Sequence, residues 1–358
     1  MRGMLAIVAV VLQVLVLVFI AGEREVILRT GQVIRLRTAP VDPTDAMRGE
    51  YVRLGYQISE VPRSLCRDGL TNTDETPVPS RAMAVKADTK VYASLRVEED
   101  GVAELVSLSD RRPADGLFLR GRTEWNWGGD IRVRYGLEAF FMEQGKAAAV
   151  QEAQWQEFRG VPLIVEAAVG RNGVAVLRNY RWDSLGLTLS VDSTNAPARR
   201  EPAALPRPVR QPAASVIRAV LRNHGSNEVA IVNPPDGRAF VLVPEMGYDG
   251  SAWHWVGESN AAPVLRPEEV VVLKPGEAHT NRIDLMEPAW FVEAPANNRR
   301  NKATPPRSVA NPGDNESVSF QLEYRPPDRA ACRNLPNAAL IWHGRLPSAR
   351  WWPNQRVD

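Results

Sequence analysis

The sequence predicts a mainly β protein: an N-terminal transmembrane helix, then an antiparallel β-rich (α+β) domain, then a second domain built of strands alone. Three features carry that expectation. One long apolar run opens the chain, MLAIVAVVLQVLVLVFIA from Met4 to Ala21. Short runs that alternate apolar and polar residues fill most of the remaining chain, which is the period of half-buried strands. Gly, Pro, Asn and Asp separate those runs at turn spacing.

The opening run is 18 residues long, and Gln13 is its only strongly polar member. Crossing a bilayer core takes ~20 apolar residues, with a range of ~17–25, so the run is long enough to span. Arg2 before it also gives the positive start of a secretory signal peptide. Cleavage would require a small-x-small site, but Phe19 stands two places before Ala21, and Ile20 two places before Gly22. Residues 1–22 are therefore expected to remain as a signal-anchor. Charge alone does not favour export, because Arg24, Arg29, Arg35 and Arg37 come after the run and only Glu23 and Glu25 offset them. Large domains nevertheless translocate regardless of such charges.

Residues 23–190 read as the first folded domain. Val91, Ala93, Leu95 and Val97 alternate with polar neighbours, and DIRVRYGLEA is a second alternating run. VPLIVEAAVGRNGVAVL reads as a hairpin turned at Asn172-Gly173. KAAAVQEAQWQEF, from Lys146 to Phe158, is the one helical candidate here, rich in good helix formers.

From Asp192 to Pro212 the chain carries Pro197, Pro202, Pro206, Pro208 and Pro212 with no apolar periodicity. Closely spaced prolines favour extended polyproline II, so residues 191–212 are expected to be an interdomain linker. Residues 213–346 come next as strands, with SVIRAVLRNHG, NEVAIVNP, RAFVLVPE, EVVVLKPGE and SVSFQLEYRP among them, and 347–358 form a tail. Their number and spacing resemble an immunoglobulin-like or fibronectin-like β-sandwich, a likeness of fold that carries no function.

Composition excludes several classes. Net charge is +2, from 44 basic and 42 acidic residues. No global field draws nucleic acid, and none is expected as a partner. Two cysteines, Cys66 and Cys332, cannot build a disulfide-dense scaffold or a four-cysteine metal site. The four histidines, at 224, 254, 279 and 343, have none of the close spacings of zinc ligands.

The stretch APVDPTDAMRGEYVRLGYQI, from Ala39 to Ile58, is the most specific in the chain. Val52, Leu54, Tyr56 and Ile58 alternate with Tyr51, Arg53, Gly55 and Gln57, so a strand is expected with Leu54 and Tyr56 turned inward. Pro40, Asp42, Pro43 and Asp45 make a turn before it. GEYVRLGY resembles the Gly-Asp-Tyr-x-x-Leu-x-Tyr signature of the GDYXXLXY family of bacterial membrane-associated proteins. Gly49, Tyr51, Leu54 and Tyr56 fall on the named positions, and Glu50 replaces the family's Asp. RVRYGLEAFFMEQG and the hairpin VEAAVGRNGVAVLRNYRW also look like the family. The resemblance covers the first half of the chain and implies a placement, single-pass in the inner membrane with the bulk extracytoplasmic, but no activity.

The chain has no HExxH, Gly-x-Ser-x-Gly, phosphate loop or dinucleotide fingerprint. No catalytic residue, metal or cofactor is assigned, and the chain is not expected to be an enzyme. A faint likeness to signal peptidases, the Gly-acid-x-Val stretch, fails for want of a serine before Pro43, with Lys86 and Lys90 far downstream. The expected role is structural, docking a partner such as another integral-membrane protein, with lipid met through the helix. Glycan binding is the alternative. Trp125 and Trp127, and again Trp253 and Trp255, stand two apart and would share a strand face as stacking platforms, unless their rings pack into the core.

Overall fold

The computed structural model describes residues 2–39, 51–71, 85–124, 130–141, 145–191, 216–244, 253–257, 264–293, 305–310 and 319–351. Helix α1, Arg2–Thr30, contains the expected apolar run and continues nine residues beyond Ala21, through GEREVILRT. Its span from Ile7 to Thr30 holds an 18-residue window of mean hydropathy 2.2 and is long and apolar enough to cross a membrane. Its residues from Ile7 to Val26 stand exposed, and only near its end, at Ile27, is it covered.

Only Gly31 separates α1 from the first strand, β1 (Gln32–Ala39). The family-like stretch then enters as two short strands, β2 (Tyr51–Arg53) and β3 (Gly55–Tyr56), with β4 (Glu60–Val61) just after it. It is not one continuous strand: Leu54 breaks the ladder between β2 and β3, and a 3-10 turn over Gln57–Ser59 separates β3 from β4. After it come β5 (Lys90–Val97), β6 (Ala103–Ser109), β7 (Leu117–Thr123), β8 (Ile131–Arg134) and β9 (Ala139–Phe141). Helix α2, Lys146–Gln156, lies where the helical composition placed it. The hairpin β10 (Leu163–Val169) and β11 (Ala175–Trp182) closes this half, with Gly173 at φ +76° in its turn.

These strands form a four-stranded sheet, β11-β10-β1-β3, a five-stranded sheet, β4-β8-β7-β5-β6, and the β2-β9 pair. The ladders of β1 with β10 and β3, of β2 with β9, and of β4 to β8 among themselves run antiparallel. Alternation does the sorting: Ile34 and Leu36, Val91 and Ala93, and Ile131 and Val133 are buried, while Arg132 and Arg134 point out.

The second half consists of β12 (Leu185–Val191), β13 (Val216–Asn223), β14 (Val229–Val232), β15 (Phe240–Pro244), β16 (His254–Trp255), β17 (Val270–Leu273), β18 (Ala278–Asp284), β19 (Phe291–Glu293), β20 (Arg307–Ser308) and β21 (Phe320–Tyr324). The short helix α3 (Arg329–Cys332) and β22 (Leu346–Pro347) complete it. Sheets β12-β13-β18 and β15-β21-β22 share one core, in which Leu187, Leu221, Phe240, Phe320 and Tyr324 are buried.

The domain boundary differs from the expected one. The chain divides into Met1–Ala148 with Leu163–Arg181, and Ala149–Pro162 with Trp182–Asp358. Strand β12, assigned by sequence to the first domain, pairs along its whole length with β13, from Leu185 opposite Asn223 to Val191 opposite Ile217. The proline-rich stretch therefore connects two partnered strands inside the second unit instead of joining two domains. LGLTLSV carries the same alternation whichever sheet it joins, so periodicity could not allot it. The conformation of residues 192–215 lies outside the described residues.

Candidate functional site

The segment from Tyr51 to Val61, which begins in the family-like stretch, pairs at both ends with the segment from Ile131 to Phe141. Tyr51 to Arg53 pair with Phe141 to Ala139, and Glu60 and Val61 with Arg132 and Ile131. Between these ladders the Leu54 amide donates to the Glu138 carbonyl at 2.8 Å. Thr38 and Ala39 of β1 pair with Tyr56 and Gly55 on the other side, so this strand bridges two sheets.

Leu54, Tyr56 and Ile58 are buried, as the alternation requires, with Tyr56 1% exposed. Burying a phenol is favourable only if its hydroxyl finds a partner. The Tyr56 hydroxyl donates to the Leu137 carbonyl at 2.7 Å, and the Tyr135 hydroxyl donates back to the Ile58 carbonyl at 2.8 Å. Two tyrosines on facing segments thus clasp each other's backbone. Burial, with the Glu138 carboxylate adding to it, pushes both phenols well above their ordinary pKa, so both stay protonated as donors.

Glu138 holds the turn between them. Its carboxylate accepts from the Tyr135 amide at 2.6 Å and the Gly136 amide at 3.0 Å. Gly136 has φ +80°, a conformation that suits glycine far better than any residue with a Cβ. Gly49, Glu50 and the preceding proline-rich turn lie outside the described residues, as do the side chains of Tyr51 and Arg53.

The outer side of this turn borders an open cavity of ≈ 460 Å³. Lys90, Arg120, Arg122, Arg134, Gly136 and Glu138 are among its lining residues. Strand pairing forces the crowding: Lys90 stands opposite Arg122, which stands opposite Arg134. Like charges placed so cost ~0.2–1 kcal/mol per pair. Asp88 offsets Arg122 at 3.0 Å and Glu124 offsets Arg134 at 3.3 Å. Lys90 lies over the Tyr92 ring, its ammonium 5.4 Å from the centroid. Gly121 makes the floor possible, since a Cβ there would sit 2.5 Å from Val133 Cγ1. The chemistry such a surface offers is attraction of anionic groups. Lys90, Arg120 and Arg122 do not stand out as a site in the sequence alone, and Arg134 and Tyr135 stand in the family-like run RVRYGLEAFFMEQG without an assigned role. The exposed arginines alternating with Ile131 and Val133 are the signal that could have found them.

Of the two second-unit tryptophans offered as a platform, Trp253 is buried and Trp255 half-buried. Trp253 is 8% exposed and belongs to the core, and Trp255 packs against it. The Trp255 indole nitrogen donates to the Ala289 carbonyl at 2.8 Å, and its ring stacks on Trp290 at 6.0 Å. Trp125 and Trp127 lie outside the described residues. Of the histidines, His254 is exposed, and His279 meets the Asn233 side-chain nitrogen at 2.9 Å. Among the described residues no three His, Cys, Asp or Glu converge as metal ligands. Cys66 and Cys332 are free and buried, and burial raises the pKa of each thiol.

Residues 13–179 match the family described as GDYXXLXY protein, a span that stops two residues short of Arg181, where the first unit ends. No curated protein and no solved structure matches the chain.

Proposed function

We propose that this chain, whose residues 13–179 belong to the GDYXXLXY family, is a single-pass anchored docking protein of the bacterial envelope, its bulk outside the cytoplasm. The observation that carries the reading is the junction between helix and sheet. A tether would need only a flexible linker. Here the Gly31 amide donates to the Ile27 carbonyl at 2.8 Å, and β1 begins at the next residue. Ile27 is 5% exposed, and Gly170 passes so close that a Cβ would lie 3.0 Å from its Cγ1. Asn172 in the same hairpin turn donates to Glu23 at 2.9 Å. The first unit is thereby held at a fixed orientation to the helix, which suits a surface presented to a membrane partner.

The cationic cavity is the surface we assign to that partner, through an acidic segment of it. The second unit we read as an immunoglobulin-like sandwich. Its sheet orders, β12-β13-β18 and β15-β21-β22, repeat the A-B-E and C-F-G grouping over one core. The glycan alternative gains no support from Trp253 and Trp255, whose rings are spent on packing.

A photo-crosslinking residue at Lys90 in the full chain, expressed in its membrane, tests the reading. One discrete adduct is expected, lost when Arg122 and Arg134 are both changed to Glu. No adduct, or one indifferent to those changes, overturns docking at this cavity.

A further inference from the structure

Gln13 is the tenth of the 18 residues from Met4 to Ala21, the middle of the apolar run. At 1.5 Å per residue, the amide lies about 13 Å from either edge of the hydrocarbon, beyond the reach of its own side chain. A primary amide has two donors and an acceptor oxygen, and hydrocarbon satisfies none of them. The helix backbone cannot, because its own bonds are closed within α1. Among the described residues the chain offers no other cover, since Gln13 and every residue from Ile7 to Val26 stand exposed.

We infer that α1 pairs with α1 of a second copy of this chain, through a reciprocal hydrogen bond between the two Gln13 amides. This rests on the reading of α1 as a retained anchor. The choice of occupant comes from geometry. Two copies insert with the same topology, so their helices run parallel and their Gln13 residues meet at the same depth. One amide nitrogen then donates to the other amide oxygen, and the reverse pair is equally available. A different partner would need its own polar group at that depth. The residues around Gln13 permit the approach: Ala9, Gln13, Val16 and Ile20 recur at spacings of four, three and four, one seam of a left-handed helix pair. Ala9, one turn away, is small enough to bring two backbones together, as interfaces in lipid require.

The test is energy transfer between donor- and acceptor-labelled full chains reconstituted in phosphatidylcholine vesicles, with protein-to-lipid ratio varied. Transfer that rises with protein density and is competed by unlabelled chain is expected. Gln13→Leu should weaken association by about tenfold, the scale of one interhelical polar contact in lipid. Gln13→Asn should retain most of it, and Val11→Leu, on the opposite face, should change nothing. An inserted chain that stays monomeric, or a dimer indifferent to Gln13→Leu, overturns the pairing and leaves the anchor standing. A mature chain beginning near Gly22 removes both.

Discussion

The Tyr56 hydroxyl donates to the Leu137 carbonyl across 2.7 Å, joining residues 81 positions apart in the chain. The Tyr135 bond to Ile58 closes the same two segments from the other side. Removing one hydroxyl leaves a buried carbonyl without its donor, so Tyr56→Phe should cost ~1–3 kcal/mol of stability. Tyr135→Phe should cost about as much. Because the two bonds clamp one pair of segments, the double variant should depart from additivity by ~0.5–3 kcal/mol. Urea unfolding of the full chain in detergent measures all three. Strict additivity would mean that the tyrosines act independently and that no clasp exists.

Leu54 is 4% exposed in the same assembly. Leu54→Ala deletes most of a buried side chain and should destabilise by ~2–5 kcal/mol, depending on how far the site collapses. An unchanged melting curve would show that the side chain is not in the core.

The alternation of Leu54, Tyr56 and Ile58 made their burial legible in advance, because a one-residue slip would have turned all three outward. The hairpin at Asn172-Gly173 and the helix from Lys146 were legible for the same local reason. What could not be read was long-range. Nothing local says that Tyr56 meets Leu137, or that Arg122 falls between Lys90 and Arg134, because register across strands far apart in sequence is a tertiary property. The allotment of Leu185–Val191 failed similarly: prolines marked a break in periodicity, and a break inside a domain looks the same as one between domains.

The anchor reading makes a mass prediction. Small-x-small cleavage is blocked by Phe19 and Ile20, so protein from the membrane fraction should retain residues 1–22. Intact-mass measurement decides it. A terminus near Gly22, with release on osmotic shock, would show a cleaved leader.

His224 makes stability depend on pH. Burial lowers its pKa below 6.5, and the Arg222 charge lowers it further. The unfolded chain then takes up its proton at a higher pH than the folded one does. Stability from this residue is undiminished above about pH 6.5 and falls as pH drops from there toward the folded value, because the unfolded state binds more protons in that window. His224→Gln should flatten that part of the unfolding profile. A slope unchanged by the substitution would assign it to carboxylates elsewhere.

The pairing of β12 with β13 predicts what happens when the chain is cut between them. Leu185, Leu187 and Leu189 are buried on one strand, against Ile217, Ala219 and Leu221 on the other. Burial of the three leucines alone contributes about 5–9 kcal/mol, at ~1.5–3 kcal/mol each. A linker between independent domains would, once cut, release two fragments that part in buffer. Two strands of one sheet would stay together, held by their ladder and the shared core. A specific protease site placed between Asp192 and Pro212 separates these outcomes. After complete cleavage, the fragments should co-elute on size exclusion in mild detergent and part only in denaturant. Leu187→Ala should lower the denaturant concentration at which they part. Fragments that separate in buffer and remain folded would return Leu185–Val191 to the first unit and restore the proline-rich stretch as a domain linker.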